Sequence, residues 1–233
     1  MAFKLTVAWS QRPEVFDHSI RVALIALSLA IRNFFFSVKE LATLAAAAVF
    51  HDIGILHVSP ELLRPGRQLE KAERHHLYAH PITGFLILRE FAEYHPEISP
   101  TVFEHHERLD GSGYPRGLKA EQICLGAQIL MLAEAANTIF DSGQKSKTLD
   151  RFSVLLKLNQ KKFNSELSNC LLGLVQDMQT DDDQADAQSL AFSSAPTLEA
   201  RLRDVARVFK DWNTTRRNCR TGSYRLADIQ GQI

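Results

Sequence analysis

The chain has 233 residues, of which 45% are hydrophobic, with Lys+Arg and Asp+Glu equal at 27 each. That length suits one domain with an appendage, and the apolar fraction is enough for a sizeable core. The balanced charge excludes a globally basic surface for a nucleic-acid polymer and an acidic disordered chain.

Three cysteines, Cys124, Cys170 and Cys219, fit neither a disulfide framework nor a thiolate zinc site, which points to a reducing cytoplasm. The N-terminal MAFKLTVAWSQRPEV has no continuous apolar core, so no signal peptide is expected. The stretch Ile20 to Phe36 is interrupted by Arg21 and Arg32, and Leu41 to Phe50 is too short for a bilayer. Both read as buried helices, and no membrane span is expected.

In chain order, Pro13-Glu14 opens a helix with apolar positions Phe16, Ile20, Ala23, Leu24 and Leu27 at spacings of three and four. A second, alanine-rich helix covers 38–50. A loop with Gly54, Ser59, Pro60, Pro65 and Gly66 follows. Further helices are expected over 70–78, 82–94, 100–107, 121–140, 149–158 and 165–178. No alternating strand pattern stands out, so the fold class is all-α. Residues 1–178 form the expected domain. Residues 179–195 are acidic, then small and polar, and read as a flexible linker. In 196–233, Leu198, Leu202, Val205, Val208, Phe209 and Trp212 mark an amphipathic helix, and Arg216, Arg217, Arg220 and Arg225 form a basic tail. Docking on its own domain is the favoured role of that helix; a partner or homodimer helix is the alternative.

The strongest local signal is His51-Asp52-Ile53-Gly54 at the end of an apolar helix. Burying an ionised carboxylate is costly unless it is paired or bound to metal. Glu14 and His18 share one helix face at i and i+4. His80 precedes Pro81, His105 and His106 are adjacent, and Glu134 interrupts an apolar helix. Each has a bland alternative: a helix cap, a solvated pair, a surface acid. Together, imidazoles and carboxylates without thiolates suit iron, manganese or zinc better than magnesium or calcium.

His18 with Arg21-Val22, His51-Asp52-Ile53-Gly54, His80-Pro81, His105-His106-Glu107 and the loop Gly111-Ser112-Gly113-Tyr114-Pro115-Arg116-Gly117 resemble an HD-GYP domain of the HD phosphohydrolase superfamily. The resemblance covers roughly residues 12–178 and implies an HD-domain helical bundle. It implies a phosphodiesterase that hydrolyses cyclic di-GMP to a linear dinucleotide or GMP in bacterial signalling. The implied cofactors are two or three divalent metal ions, iron or manganese, which activate water and absorb phosphoryl charge. Their implied ligands are His18, His51, Asp52, His80, His105, His106 and Glu134, with Asp52 bridging and Glu14 as the carboxylate of trinuclear members. His51 and Asp52 are the implied catalytic pair. The loop residues Gly113, Tyr114, Pro115 and Arg116 are implied to shape the substrate entrance, Gly111 and Gly113 through backbone freedom. GGDEF-domain proteins are implied partners. No sensor segment precedes the domain in this sequence, so regulation is expected from another chain or from the C-terminal helix.

The sequence departs from that pattern at four places. Ile55 replaces a lysine that contacts a substrate phosphate, with His57 nearby. Glu134 stands for an aspartate, and Asn137 for a second aspartate. Residues 141–147 lack the usual arginines, leaving Lys145 and Lys147 as phosphate contacts. Each lost charge-assisted contact costs about 1.5–3 kcal/mol. These departures support two alternatives: a weak or inactive signalling or scaffold module, or a phosphohydrolase of another nucleotide.

Overall fold

The computed structural model describes residues 10–33, 36–64, 66–92, 94–140 and 148–184. They fall within one compact unit, residues 1–188. Lys145, Lys147 and the amphipathic helix expected in 196–233 lie outside the described residues.

The described residues are helical, with no strand among them and one isolated bridge, Asp110 to Lys119. Eight helices of four or more residues with α geometry follow in order: α1 (Pro13–Asn33), α2 (Val38–Phe50), α3 (Lys71–Tyr78), α4 (His80–Arg89), α5 (Ile98–Glu104), α6 (Leu125–Phe140), α7 (Thr148–Leu158) and α8 (Ser165–Gln184). Pro13 starts α1 with its fixed φ, and Glu14 complements the helix dipole. A capping box starts α2. The Ser37 hydroxyl accepts from the Glu40 amide, while the Glu40 carboxylate accepts from the Ser37 amide at 2.7 Å.

The core forms where α1 packs on α2 and α6. Small side chains allow it: Ala26 and Ala30 of α1, Ala47 and Ala48 of α2, and Ala133 and Ala136 of α6 are fully buried. Helix α6 also buries Ile129, Leu130, Met131 and Leu132 around most of its circumference, the pattern of a central helix. Leu24, assigned to the apolar face of α1 from its spacing, is 52% exposed; Ala23 and Leu27 of that face are buried, together with Val22, Ala26 and Leu29.

The run Val38–His57 is long and apolar enough to cross a membrane, yet it is half buried inside this bundle. It also turns: α2 stops at Phe50, His51 and Asp52 make a turn, and a 3-10 helix (Ile53–His57) follows. That short helix packs on α4. Gly54 permits the approach, because a Cβ there would lie 2.0 Å from the His80 carbonyl oxygen and 2.9 Å from the Gly84 nitrogen.

Several helix ends differ from the sequence reading, each for a local reason. Helix α4 starts at His80, so Pro81 sits in its first turn, where its missing N–H is harmless. Helix α5 ends at Glu104, which leaves His105 and His106 just beyond it. The expected helix over 121–140 is interrupted before Leu125. The Cys124 amide donates to the Glu104 carboxylate at 2.9 Å, and Ile123 is extended. Helix α8 runs past Met178 to Gln184, into the stretch read as linker. No glycine or proline occurs between Gly173 and Pro196 to stop it.

Gly54→Ala is expected to destabilise the fold by about 3 kcal/mol or more, the upper end for overpacking, since backbone atoms block the added methyl. Chemical denaturation of the variant checks this.

Candidate metal centre

Three helix ends deliver most of the site. His51 and Asp52 leave the end of α2, His80 opens α4, and His105 and His106 follow α5. His18 from α1 and Glu134 from α6 close it. Two groups of potential ligand atoms result, each within 4.8 Å: Asp52, His80, His105 and His106, and His18, His51, Asp52 and Glu134. Asp52 belongs to both. Its Oδ1 lies 3.2 Å from His80 Nε2 and 3.9 Å from His105 Nε2, while Oδ2 lies 3.6 Å from His51 Nε2 and 3.8 Å from His18 Nε2.

Glu134 uses the extra reach of a glutamate. Its Oε1 lies 3.3 Å from His51 Nε2 and 3.5 Å from His18 Nε2, and its Oε2 lies 3.5 Å from His106 Nδ1. The carboxylate therefore touches both groups. Glu14 is not brought in. Its carboxylate is 68% exposed and pairs with Arg12 at 3.3 Å.

The donor set fits metal ions. His51, His80 and His105 each donate Nδ1–H to a backbone carbonyl three residues earlier, Ala48 (2.7 Å), Leu77 (2.8 Å) and Val102 (2.6 Å). That bond turns Nε2 inward. His80 Nε2 lies 3.1 Å from His106 Nε2 and 3.4 Å from His105 Nε2, so three ring nitrogens face one point. His51 Nε2 is buried without a hydrogen-bond partner. An orphaned buried nitrogen facing carboxylate oxygens is what a cation would satisfy.

Electrostatics point the same way. Burial pushes His106 down to about 4, with the neighbouring His80 adding to the effect against Glu134. Burial and the His106 charge hold His105 well below the usual range. Both rings are neutral near pH 7 and free to ligate. Burial opposes ionisation of Asp52 and Glu134, but the surrounding histidines outweigh it and hold both well below the usual carboxylate range. Burial would lower His51, yet Asp52 and Glu134 raise it to about 9.

The loop from Gly111 to Gly117 lies against this centre. Tyr114 stacks on His106 (ring centroids 4.7 Å apart), and Tyr78 stacks on Tyr114 (4.3 Å, 9° between planes). Burial and nearby carboxylates push the Tyr114 hydroxyl above its ordinary range, so it stays protonated. The loop is held by two buried carboxylates. Glu107 accepts the backbone N–H groups of Arg116 and Leu118, each at 2.8 Å. Glu104 pairs with the Arg116 guanidinium at 2.5 Å. Arg116, implied to shape the substrate entrance, thus has its charge engaged by Glu104, and it lies over the Phe103 ring.

Gly111 does have positive φ, +80°, as does Gly117, +65°. Gly113 does not. It is required for space, since a Cβ would lie 2.4 Å from the Glu107 backbone. The Tyr114–Pro115 bond is cis. Ile55 is 7% exposed and packs in the core, and His57 ends the 3-10 helix exposed.

An HD-domain family model matches residues 7–167. The chain belongs to the HD domain family. This HD domain is 35% identical over 137 residues to a 3'3'-cGAMP-specific phosphodiesterase 3 of Vibrio cholerae, covering 57% of this chain and 28% of that protein. It is 32% identical over 108 residues to the cyclic di-GMP phosphodiesterase response regulator RpfG of Xanthomonas campestris, covering 46% and 28%. The chain thus spans less than a third of the length of these relatives. In fold it is similar to Bd1817, a HDG"Y"P protein from Bdellovibrio bacteriovorus, with a TM-score of 0.59 at 18% identity over 70% of this chain and 52% of that one.

Sequence reasoning missed Tyr78, Glu104 and the roles of Glu107 and Asn137. Glu104 and Glu107 flank the paired histidines at i and i+3, which was the available signal. Nothing local singles out Tyr78.

The metal-free protein should lose thermal stability as pH falls. His106, at about 4, and His105, held well below its usual range, refuse protons that the unfolded chain takes up below its ordinary 6.5. The loss therefore begins near 6.5 and continues through 4. His51, raised to about 9, is charged in the folded state throughout, and its own contribution levels off below the ordinary 6.5. Melting curves in chelator should show Tm falling by several degrees over this range; a flat Tm would contradict the assignment.

Proposed function

We propose that the chain is a metal-dependent phosphodiesterase of the HD-GYP type that hydrolyses cyclic di-GMP or a related cyclic dinucleotide. The observation that carries it is the pair of ligand groups sharing Asp52, with the Gly111–Gly117 loop laid against them. The names of the relatives support the substrate class. Two cations rather than three fit the described donors, because Glu14 stands apart. Histidine and carboxylate donors suit iron or manganese. When bound, the cations supply an activated water and neutralise charge on the phosphoryl oxygens.

The chain's own residues do the rest. Asp52 spans the two positions, and Glu134 ties both groups to α6. His51, His80 and His105 hold their rings by carbonyl bonds made at helix ends. The protonated Tyr114 hydroxyl offers a hydrogen-bond donor at the entrance. Tyr78, 40% exposed and stacked on Tyr114, offers a purine its outer face. Gly113, Pro115 and Arg116 set the loop's shape, with Arg116 acting through Glu104. Lys147 as a phosphate contact, a linear dinucleotide or GMP as product, a cytoplasmic setting and GGDEF partners at the loop belong to the same reading.

A second reading is a domain that binds nucleotide without turnover. One observation favours it: Ile55 is buried where the resemblance expects a phosphate-contacting lysine.

The test is hydrolysis of cyclic di-GMP and 3'3'-cGAMP by protein purified anaerobically and reloaded with Fe(II) or Mn(II). Turnover should fall more than about 100-fold in Asp52→Ala, beyond what loss of an outer-shell partner costs. Binding without turnover in the metal-loaded protein would select the second reading. Tyr78→Ala should raise KM roughly 5- to 100-fold with kcat nearly kept, as loss of a stacked base predicts.

A further inference from the structure

The four histidines that reach the carboxylates through Nε2 are not equivalent. His51, His80 and His105 donate Nδ1–H to carbonyl oxygens, which reserves Nε2 for the carboxylates or a cation. His18 has a different neighbour. Its Nδ1 lies 3.0 Å from the amide nitrogen of Asn137, a side chain buried to 2% exposure.

The orientation of that amide is fixed by Arg21, whose Nε donates to Asn137 Oδ1 at 3.1 Å. A guanidinium only donates, so the atom facing it has to be the oxygen. The NH2 group is then turned to His18 and can only donate. His18 Nδ1 must accept, and the ring proton resides on Nε2. The other end of the ring agrees: Nε2 faces acceptors, Glu134 Oε1 at 3.5 Å and Asp52 Oδ2 at 3.8 Å.

We infer that Asn137 is a positioning residue that holds His18 in the non-ligating tautomer and so makes the two cation positions unequal. The position at Asp52, His80, His105 and His106 is tight. The position at His18, His51, Asp52 and Glu134 is weak, because ligation by His18 moves its proton to Nδ1, against the Asn137 NH2. Turning the amide over only transfers the clash of donors to Arg21. An aspartate at 137 removes it, since a carboxylate accepts from both neighbours. The inference rests on the reading of this cluster as a metal centre.

The test has two parts. Long-range 1H–15N correlation spectra of the metal-free wild type at alkaline pH report each histidine tautomer. His18 should carry its proton on Nε2, and His80 and His105 on Nδ1. A proton on His18 Nδ1 overturns the inference, and this holds whether or not any variant folds. In the second part, Mn(II) is titrated into metal-free protein and the free ion followed by electron paramagnetic resonance. Wild type should fill in two steps. Asn137→Asp should tighten the second step by about 10- to 100-fold, the range for outer-shell partners of ligating histidines, and leave the first unchanged. Two equal steps in wild type, or a second step unmoved by Asn137→Asp, overturn it. No Mn(II) uptake in either protein overturns the metal-centre reading itself.

Discussion

An ionised carboxylate inside an apolar bundle persists only if positive charge or hydrogen-bond donors surround it. Asp52 sets that constraint here. It follows directly on a helix whose Ala47 and Ala48 are fully buried, so its carboxylate enters the core region whatever else the chain does. The arrangement of α1, α4, α5 and α6 answers the need. Each brings a histidine or a second carboxylate to the same point, and each does so from a helix end or a central helix that cannot shift without disturbing the core.

The entrance loop obeys a related logic. Glu104 and Glu107 are both buried carboxylates, one turn apart at the end of α5. Their oxygens are consumed by loop amides, the Cys124 amide and the Arg116 guanidinium. Charge-assisted bonds of this kind are short and directional. They tie the backbone that follows Tyr114 to the turn that precedes it, and so hold the ring that covers His106. The loop and two of the ligands, His105 and His106, are thereby built on one short helix.

Much of this was legible in the sequence because it is local. His51-Asp52 at the end of an apolar run, His80 before Pro81, and the paired histidines before a glycine-rich turn all advertise themselves within a few residues. Glu134 was legible as the lone ionisable group on an apolar helix. What failed required knowledge of rotamers or of distant neighbours. The i, i+4 spacing placed Glu14 on the face of His18, but spacing does not say that Arg12 captures the carboxylate. Periodicity made Leu24 apolar-facing, yet the buried stripe of α1 lies slightly to one side of it. Tyr78 matters only because a turn 36 positions later in sequence, at Tyr114, folds back on it. The Asn137 substitution was visible, but its meaning depends on Arg21, which reaches it from another helix.

The three Nδ1 bonds to helix-end carbonyls have a further consequence. Those carbonyls are among the groups a helix terminus leaves unpaired, and the imidazoles satisfy them with or without a guest ion. Folding has thus already ordered the receptor, and uptake or loss of the ion proceeds on a finished scaffold. Integrity of the fold and occupancy of the two ligand groups thereby become separate variables, the first set by helix packing and the second by whatever cation the groups meet.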